Sequence, residues 1–145
     1  MRDFKLPLDI TQIQKCIPHR YPFLLIDRVL ALTPGDSVVG IKQVSISEPM
    51  LQGHFPEFPV FPGVLVVEGM AQAAAVLAYY TLDSFKEILL TEVINTRFRK
   101  MIVPGDTLRY EMRVEKSRPP FFWFEGKALV DGEIVATARL SALLK

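Results

Sequence analysis

Two of the 145 residues are histidines, and one of them, His54, falls in Leu51-Gln52-Gly53-His54-Phe55-Pro56. Glycine and proline there predict a shaped loop that fixes the imidazole in place. Glu68 follows in the second turn of an apolar helix, where an unpaired ionised carboxylate costs several kcal/mol of desolvation. Such a residue needs a partner or a purpose. Two readings are open: His54 braces its loop and Glu68 pairs with Gln72 four residues on, or the two are an acid/base pair. Physics alone leaves these about even, because buried polar groups without a catalytic role are common.

Phe61-Pro62-Gly63 adds a third element. Proline followed by glycine at the start of a helix leaves the Gly63 N–H free to point at an anionic or carbonyl oxygen. A base, a carboxyl group in an apolar wall and a helix N-terminus are what loss of water from a 3-hydroxyacyl thioester requires. The C2 hydrogen needs a base, and the charge that builds on the carbonyl oxygen needs a donor, for which His54 and the Gly63 amide are suited. Hydroxide leaves poorly, so the C3 oxygen needs a proton from an acid, and burial lets a carboxyl group hold one at neutral pH. Glu68 is the candidate.

Other residues invite weaker readings. His19, between Pro18 and Arg20, is read as structural, since nothing in the sequence places a carboxyl group near it. Arg97, Arg99 and Lys100 are either a basic patch for an acidic partner or a solvated strand face. Phe121, Phe122, Trp123 and Phe124 are read as core or interface before tunnel wall. Thr33-Pro34-Gly35-Asp36 and Val103-Pro104-Gly105-Asp106 are ordinary turn chemistry. The sequence has no P-loop, no dinucleotide fingerprint and no histidine-rich ligand set, so neither a metal nor a cofactor is expected.

The elements that must position the pair can be read around them. Asp9-Ile10-Thr11-Gln12 predicts a capping box opening a short helix to about Cys16. An apolar run from Phe23 to Leu32 predicts a first strand and Val38 to Val44 a second, joined as a hairpin. Residues 48–63 hold four prolines and two glycines, which oppose helix and central strand alike. Val64 to Tyr80 is apolar on nearly every face and predicts an enclosed helix. Strands follow at Glu92–Lys100, around Leu108–Val114, at Phe121–Val130 and at Glu133–Leu144, the last two joined by Asp131-Gly132. Covering one long helix with few strands calls for an α+β fold, a strongly curved antiparallel sheet wrapped around it. Its exposed edges predict an obligate dimer.

Composition bounds the rest. Half the residues are apolar and the formal net charge is +1, which suits one domain over residues 1–145 and gives no global attraction to nucleic acid or an anionic membrane. The single cysteine, Cys16, can form no internal disulfide and fits a reducing cytoplasm. Met1-Arg2-Asp3-Phe4-Lys5 lacks the apolar run of a secretory signal. Val64–Tyr80 falls short of a ~30 Å hydrocarbon core and carries Glu68 and Gln72, so no membrane span is expected.

Gly53-His54-Phe55-Pro56, followed by Pro59-Val60-Phe61-Pro62-Gly63-Val64-Leu65-Val66-Val67-Glu68-Gly69-Met70-Ala71-Gln72, resembles the signature of the FabZ-type 3-hydroxyacyl-[acyl-carrier-protein] dehydratases of bacterial fatty acid synthesis. The likeness extends to Pro18-His19-Arg20-Tyr21-Pro22-Phe23-Leu24-Leu25-Ile26-Asp27-Arg28, to Arg97-Phe98-Arg99-Lys100 and to Val103-Pro104-Gly105-Asp106. It implies a hot-dog fold, homodimers assembling as a hexamer, and an acyl carrier protein as substrate carrier. It also implies that the histidine of one subunit faces the glutamate of another. The implied roles are catalytic base for His54, acid or water-positioning group for Glu68, and a structural part for His19. Beside these, substrate contacts are expected at Gly63, Val64, Phe55, Phe61 and Gln72, and carrier docking at Arg97, Arg99 and Lys100 is one of the two readings of that patch.

A sister branch that also isomerises the double bond has aspartate where Glu68 stands, so glutamate favours dehydration alone. Glu57-Phe58 is bulkier than the family's usual small and basic pair, Phe61 replaces a common methionine, and segment 81–90 looks short. Two rival functions remain: a hot-dog thioesterase in which Glu68 activates water, and an inactive acyl-binding subunit, against which the presence of both His54 and Glu68 argues.

Overall fold

The computed structural model describes residues 2–83 and 87–145; residue 1 and residues 84–86, the latter inside the segment expected to be short, lie outside the described residues. A seven-residue helix, α1 (Ile10–Cys16), opens on the expected capping box. Asp9 accepts from the Gln12 amide at 3.0 Å while the Gln12 side chain accepts from the Asp9 amide at 2.9 Å. Strands β1 (Arg28–Thr33) and β2 (Ser37–Gln43) form the expected hairpin. The long helix α2 spans Gly63–Thr81, and β3 (Ile88–Phe98), β4 (Thr107–Arg118), β5 (Phe121–Val130) and β6 (Glu133–Leu144) complete the fold.

All strand pairs are antiparallel, in the order β1-β2-β4-β5-β6-β3. Six strands at ~4.8 Å spacing span ~24 Å, more than twice the ~10 Å diameter of a helix. Yet α2 contacts all six, so the sheet curls around it. This is the expected hot-dog arrangement. At 19 residues the helix is longer than expected and, against that reading, does reach the length and composition of a membrane span, but 67% of its apolar window is buried inside the fold, as a core helix requires.

Two predicted strands are displaced. The first begins at Arg28, not Phe23, because the backbone of Phe23 and Leu25 is claimed by side chains instead of a ladder. The Leu25 amide donates to Gln72 Oε1 at 2.8 Å, Gln72 Nε2 donates to the Phe23 carbonyl at 2.7 Å, and the Tyr110 hydroxyl donates to the Leu25 carbonyl at 2.9 Å. The strand placed at Glu92–Lys100 runs instead from Ile88 to Phe98, since Ile88, Leu89 and Leu90 pair with Leu144, Leu143 and Ala142 of β6.

Tyr110 can reach this position because residue 69 is glycine: a Cβ there would stand 2.0 Å from the Tyr110 hydroxyl oxygen. At the far end of α2, the Arg2 guanidinium donates to the carbonyls of Tyr79, Leu82 and Asp83 and stacks 3.9 Å from the Tyr79 ring, satisfying the helix's terminal acceptors. Strand β3 lies at a sheet edge with Leu89, Leu90, Val93 and Phe98 all exposed. An apolar edge of this kind invites a partner strand.

Candidate active site

The loop that carries His54 is tied down at several points. Lys42, only 5% exposed, pairs with Glu48 at 2.6 Å, and the other Glu48 oxygen accepts from the Ser45 amide at 3.2 Å. A 3-10 turn over Pro49–Gln52 follows, and its Met50 carbonyl accepts from the His54 amide at 3.1 Å. The Val60 amide donates to the His54 carbonyl at 2.9 Å, while His54 Nδ1 stands 2.8 Å from the Val60 carbonyl. A carbonyl oxygen can only accept, so the Nδ1 hydrogen belongs in this bond and the neutral ring keeps its free lone pair on Nε2. That is the form a base needs. Phe55, half-exposed, stacks on the imidazole with ring centroids 4.2 Å apart.

Beyond the loop, the Phe61 amide donates to the Ile102 carbonyl at 2.8 Å, which aims Pro62 and Gly63 into α2. Gly63 and Val64 head the helix, so their amides have no carbonyl a turn earlier within it. A Cβ at Gly63 would lie 2.9 Å from the Phe98 ring, which makes glycine necessary for this approach. Gly63 and Val64 line a cavity of about 460 Å³ with Phe98, Arg99, Lys100 and Met101. Val64 is well exposed there, whereas Phe61 is buried at 2% exposure and lines the cavity from beneath.

Glu68 lines a separate cavity of about 220 Å³, with His19, Ala75, Leu90 and Phe124 among its walls. Its Oε1 accepts from Gln72 Nε2 at 2.9 Å. His19 Nε2 stands 3.4 Å from the same oxygen. Gln72, 1% exposed, has both Nε2 hydrogens and its Oε1 engaged by Glu68, Phe23 and Leu25, so within the chain it braces Glu68. Burial, with the charges of Asp27, Glu48 and Glu68 adding to it, pushes the Tyr110 hydroxyl well above the ordinary tyrosine range. It therefore stays a donor to Leu25.

The structure thus joins Glu68 with Gln72, and Gly63 with Val64 and the basic residues Arg99 and Lys100. It does not join His54 to Glu68 within one chain: no hydrogen bond or ion pair links them among the described residues. His19 is where sequence reasoning fell short, since the chain does bring a carboxyl group to it. Arg20 makes this possible by donating to the carbonyls of Ile17 at 2.9 Å, His19 at 2.6 Å and Gln14 at 3.0 Å, which folds the Pro18–Pro22 turn onto α1. Of the aromatic run, Phe122 and Phe124 are core, Phe121 is exposed, and Trp123 lies under Lys116 Nζ at 4.8 Å. Lys100 pairs with Glu133, and Arg97 and Arg99 are exposed. Among the described residues no group of three or more His, Cys, Asp or Glu side chains could hold a metal ion.

The FabA-like domain family matches residues 17–139. The 3-hydroxyacyl-[acyl-carrier-protein] dehydratase FabZ of Campylobacter lari is 48% identical, the match covering 94% of this chain and 97% of that one. The enzyme of the same name from Rickettsia typhi is 47% identical, covering 94% and 95%. Among solved structures, the dehydratase heterocomplex ApeI:P from Xenorhabdus doucetiae superposes with a TM-score of 0.78 at 21% identity, over 98% of this chain and 93% of that one. The Escherichia coli PaaI protein does so with 0.62 at 16%, over 79% and 80%. These two speak to the fold alone. The chain belongs to the FabA-like family and, within it, to the FabZ-type 3-hydroxyacyl-[acyl-carrier-protein] dehydratases.

Proposed function

We propose that the protein removes water from 3-hydroxyacyl thioesters carried on acyl carrier protein, giving trans-2-enoyl thioesters for fatty acid synthesis, at a site shared between two copies of the chain. His54 Nε2 takes the C2 proton. Glu68 of the second copy gives a proton to the departing C3 hydroxyl, and the Gly63 amide donates to the thioester oxygen as charge builds there. The observation that carries this reading is the Nδ1 contact of His54 with Val60, which leaves Nε2 as the ring's acceptor.

A shared site accounts for the placement of Glu68 and Gly63 in separate cavities and for the exposed apolar edge of β3. Pairing of β3 with β3 of a second copy would cover that edge. A trimer of such dimers is the assembly we propose, in the cytoplasm, with Arg97, Arg99 and Lys100 as the docking surface for the acidic carrier. Light scattering should then give six times the 16.4 kDa chain mass.

The deciding assay is incubation with 3-hydroxyacyl carrier protein of several chain lengths, with products identified by mass. Loss of one water supports the reading. Release of a free thiol would mark a thioesterase instead, and saturable binding with no turnover an acyl-binding subunit.

A further inference from the structure

We infer that His19 is a positioning residue for Glu68, holding Oε1 together with Gln72 so that Oε2 carries the proton used in the reaction. The inference rests on the proposed reading of Glu68 as the acid. Gln72 cannot be flipped: its Nε2 faces the Phe23 carbonyl at 2.7 Å and its Oε1 takes the Leu25 amide at 2.8 Å. Its second Nε2 hydrogen is therefore a fixed donor to Glu68 Oε1 at 2.9 Å.

His19 approaches that same oxygen, with Nε2 at 3.4 Å. The other ring nitrogen, Nδ1, is buried with no hydrogen-bond partner among the described residues. A hydrogen on Nδ1 would be a buried donor left unpaired, which is costly. The hydrogen of the neutral ring therefore sits on Nε2, the nitrogen 3.4 Å from Glu68 Oε1. A spacing of 3.4 Å is longer than an ideal bond, but a slight rotation of either side chain closes it, and catalytic contacts commonly tighten with substrate.

Once His19 closes that gap, two donors on one carboxyl oxygen fix the identity of both oxygens. Oε1 becomes the acceptor, so the dissociable hydrogen resides on Oε2. The holders are rigid, because the Pro18–Pro22 turn is bound to α1 through Arg20 and Gln72 is itself buried. Without His19, Gln72 alone holds Oε1 and the carboxyl group can turn about that single bond, which misplaces Oε2 and its proton.

The test compares His19→Leu, His19→Gln and His19→Asn in the assembled protein, with Glu68→Gln alongside and folding checked by thermal melting. A glutamine places its amide nitrogen where Nε2 stood, whereas an asparagine reaches only as far as Nδ1. His19→Leu should lower kcat by ~10- to 100-fold with KM little changed, the size expected of misplaced catalytic groups. His19→Gln should recover most of that loss and His19→Asn little. Wild-type kcat in His19→Leu, or equal kcat in the glutamine and asparagine variants, would overturn the inference. If the leucine variant does not fold, the two amides decide. An active Glu68→Gln would instead overturn the reading of Glu68 as acid, and this inference with it; an inactive Glu68→Gln beside a fully active His19→Leu overturns the positioning role alone.

Discussion

His54 Nδ1 is bound 2.8 Å from the Val60 carbonyl oxygen. The bond fixes ring orientation and tautomer together. Asparagine keeps an amide nitrogen near the Nδ1 position and has no Nε2, so His54→Asn should fold as the parent does while turnover falls ~10²- to 10⁴-fold, the usual worth of a general base. Steady-state assay beside a thermal melt checks both halves. Substantial residual turnover would return His54 to the part of a loop brace.

A site shared between copies predicts complementation. Mixing denatured His54→Ala and Glu68→Gln chains and refolding them together should make half of the dimers mixed. In each mixed dimer one of two sites receives both intact residues, so about a quarter of parental activity should return. Sites built within single chains would recover none.

Gly63→Ala sets a methyl group against the Phe98 ring, 2.9 Å away. The shift this forces moves the first amides of α2, and loss of a carbonyl donor of this kind typically costs ~10²- to 10³-fold in kcat. Adding Phe98→Leu makes room and should restore part of the rate. A double variant no faster than Gly63→Ala would break the link.

For Arg99, exposed at the rim of the Gly63 cavity, charge reversal to glutamate should raise KM for carrier-bound substrate, and more so at low salt. A free thioester mimic should be unaffected. Equal effects on both substrates would dismiss carrier docking at this position.

Tyr110→Phe leaves the buried Leu25 carbonyl without its donor and should cost ~1–3 kcal/mol in denaturant unfolding. The pH dependence has a definite sign. Burial raises the folded hydroxyl above its unfolded value, so the folded state holds more protons in the alkaline range. The contribution is complete below about pH 10 and declines as pH rises past it. Phenylalanine at 110 should flatten that alkaline decline, and an unchanged slope would count against it.

Much of this architecture could be read in the residues. The Asp131-Gly132 turn, where both residues adopt positive φ, gave β5 and β6 their exact bounds, while alternation over Leu108–Val114 found β4, which runs on to Arg118. The capping box and the enclosed helix followed from local rules as well. Illegible were contacts made by side chains far apart in sequence: Gln72 and Tyr110 capturing the backbone near Leu25, and His19 arriving beside Glu68. An apolar run such as Phe23–Ile26 looks the same whether its amides meet a strand or a glutamine.

The order of the strands bears on how the chain is made. β3 has β6 as its sheet neighbour, and β6 also closes on β5. During synthesis the ribosome releases β3 well before β6 exists to receive it. Until residues 133–144 emerge, an eleven-residue strand bearing Leu89, Leu90, Val93 and Phe98 waits with both of its edges open. A nascent chain stalled before Glu133 is thus a form exposed to aggregation and to chaperone capture.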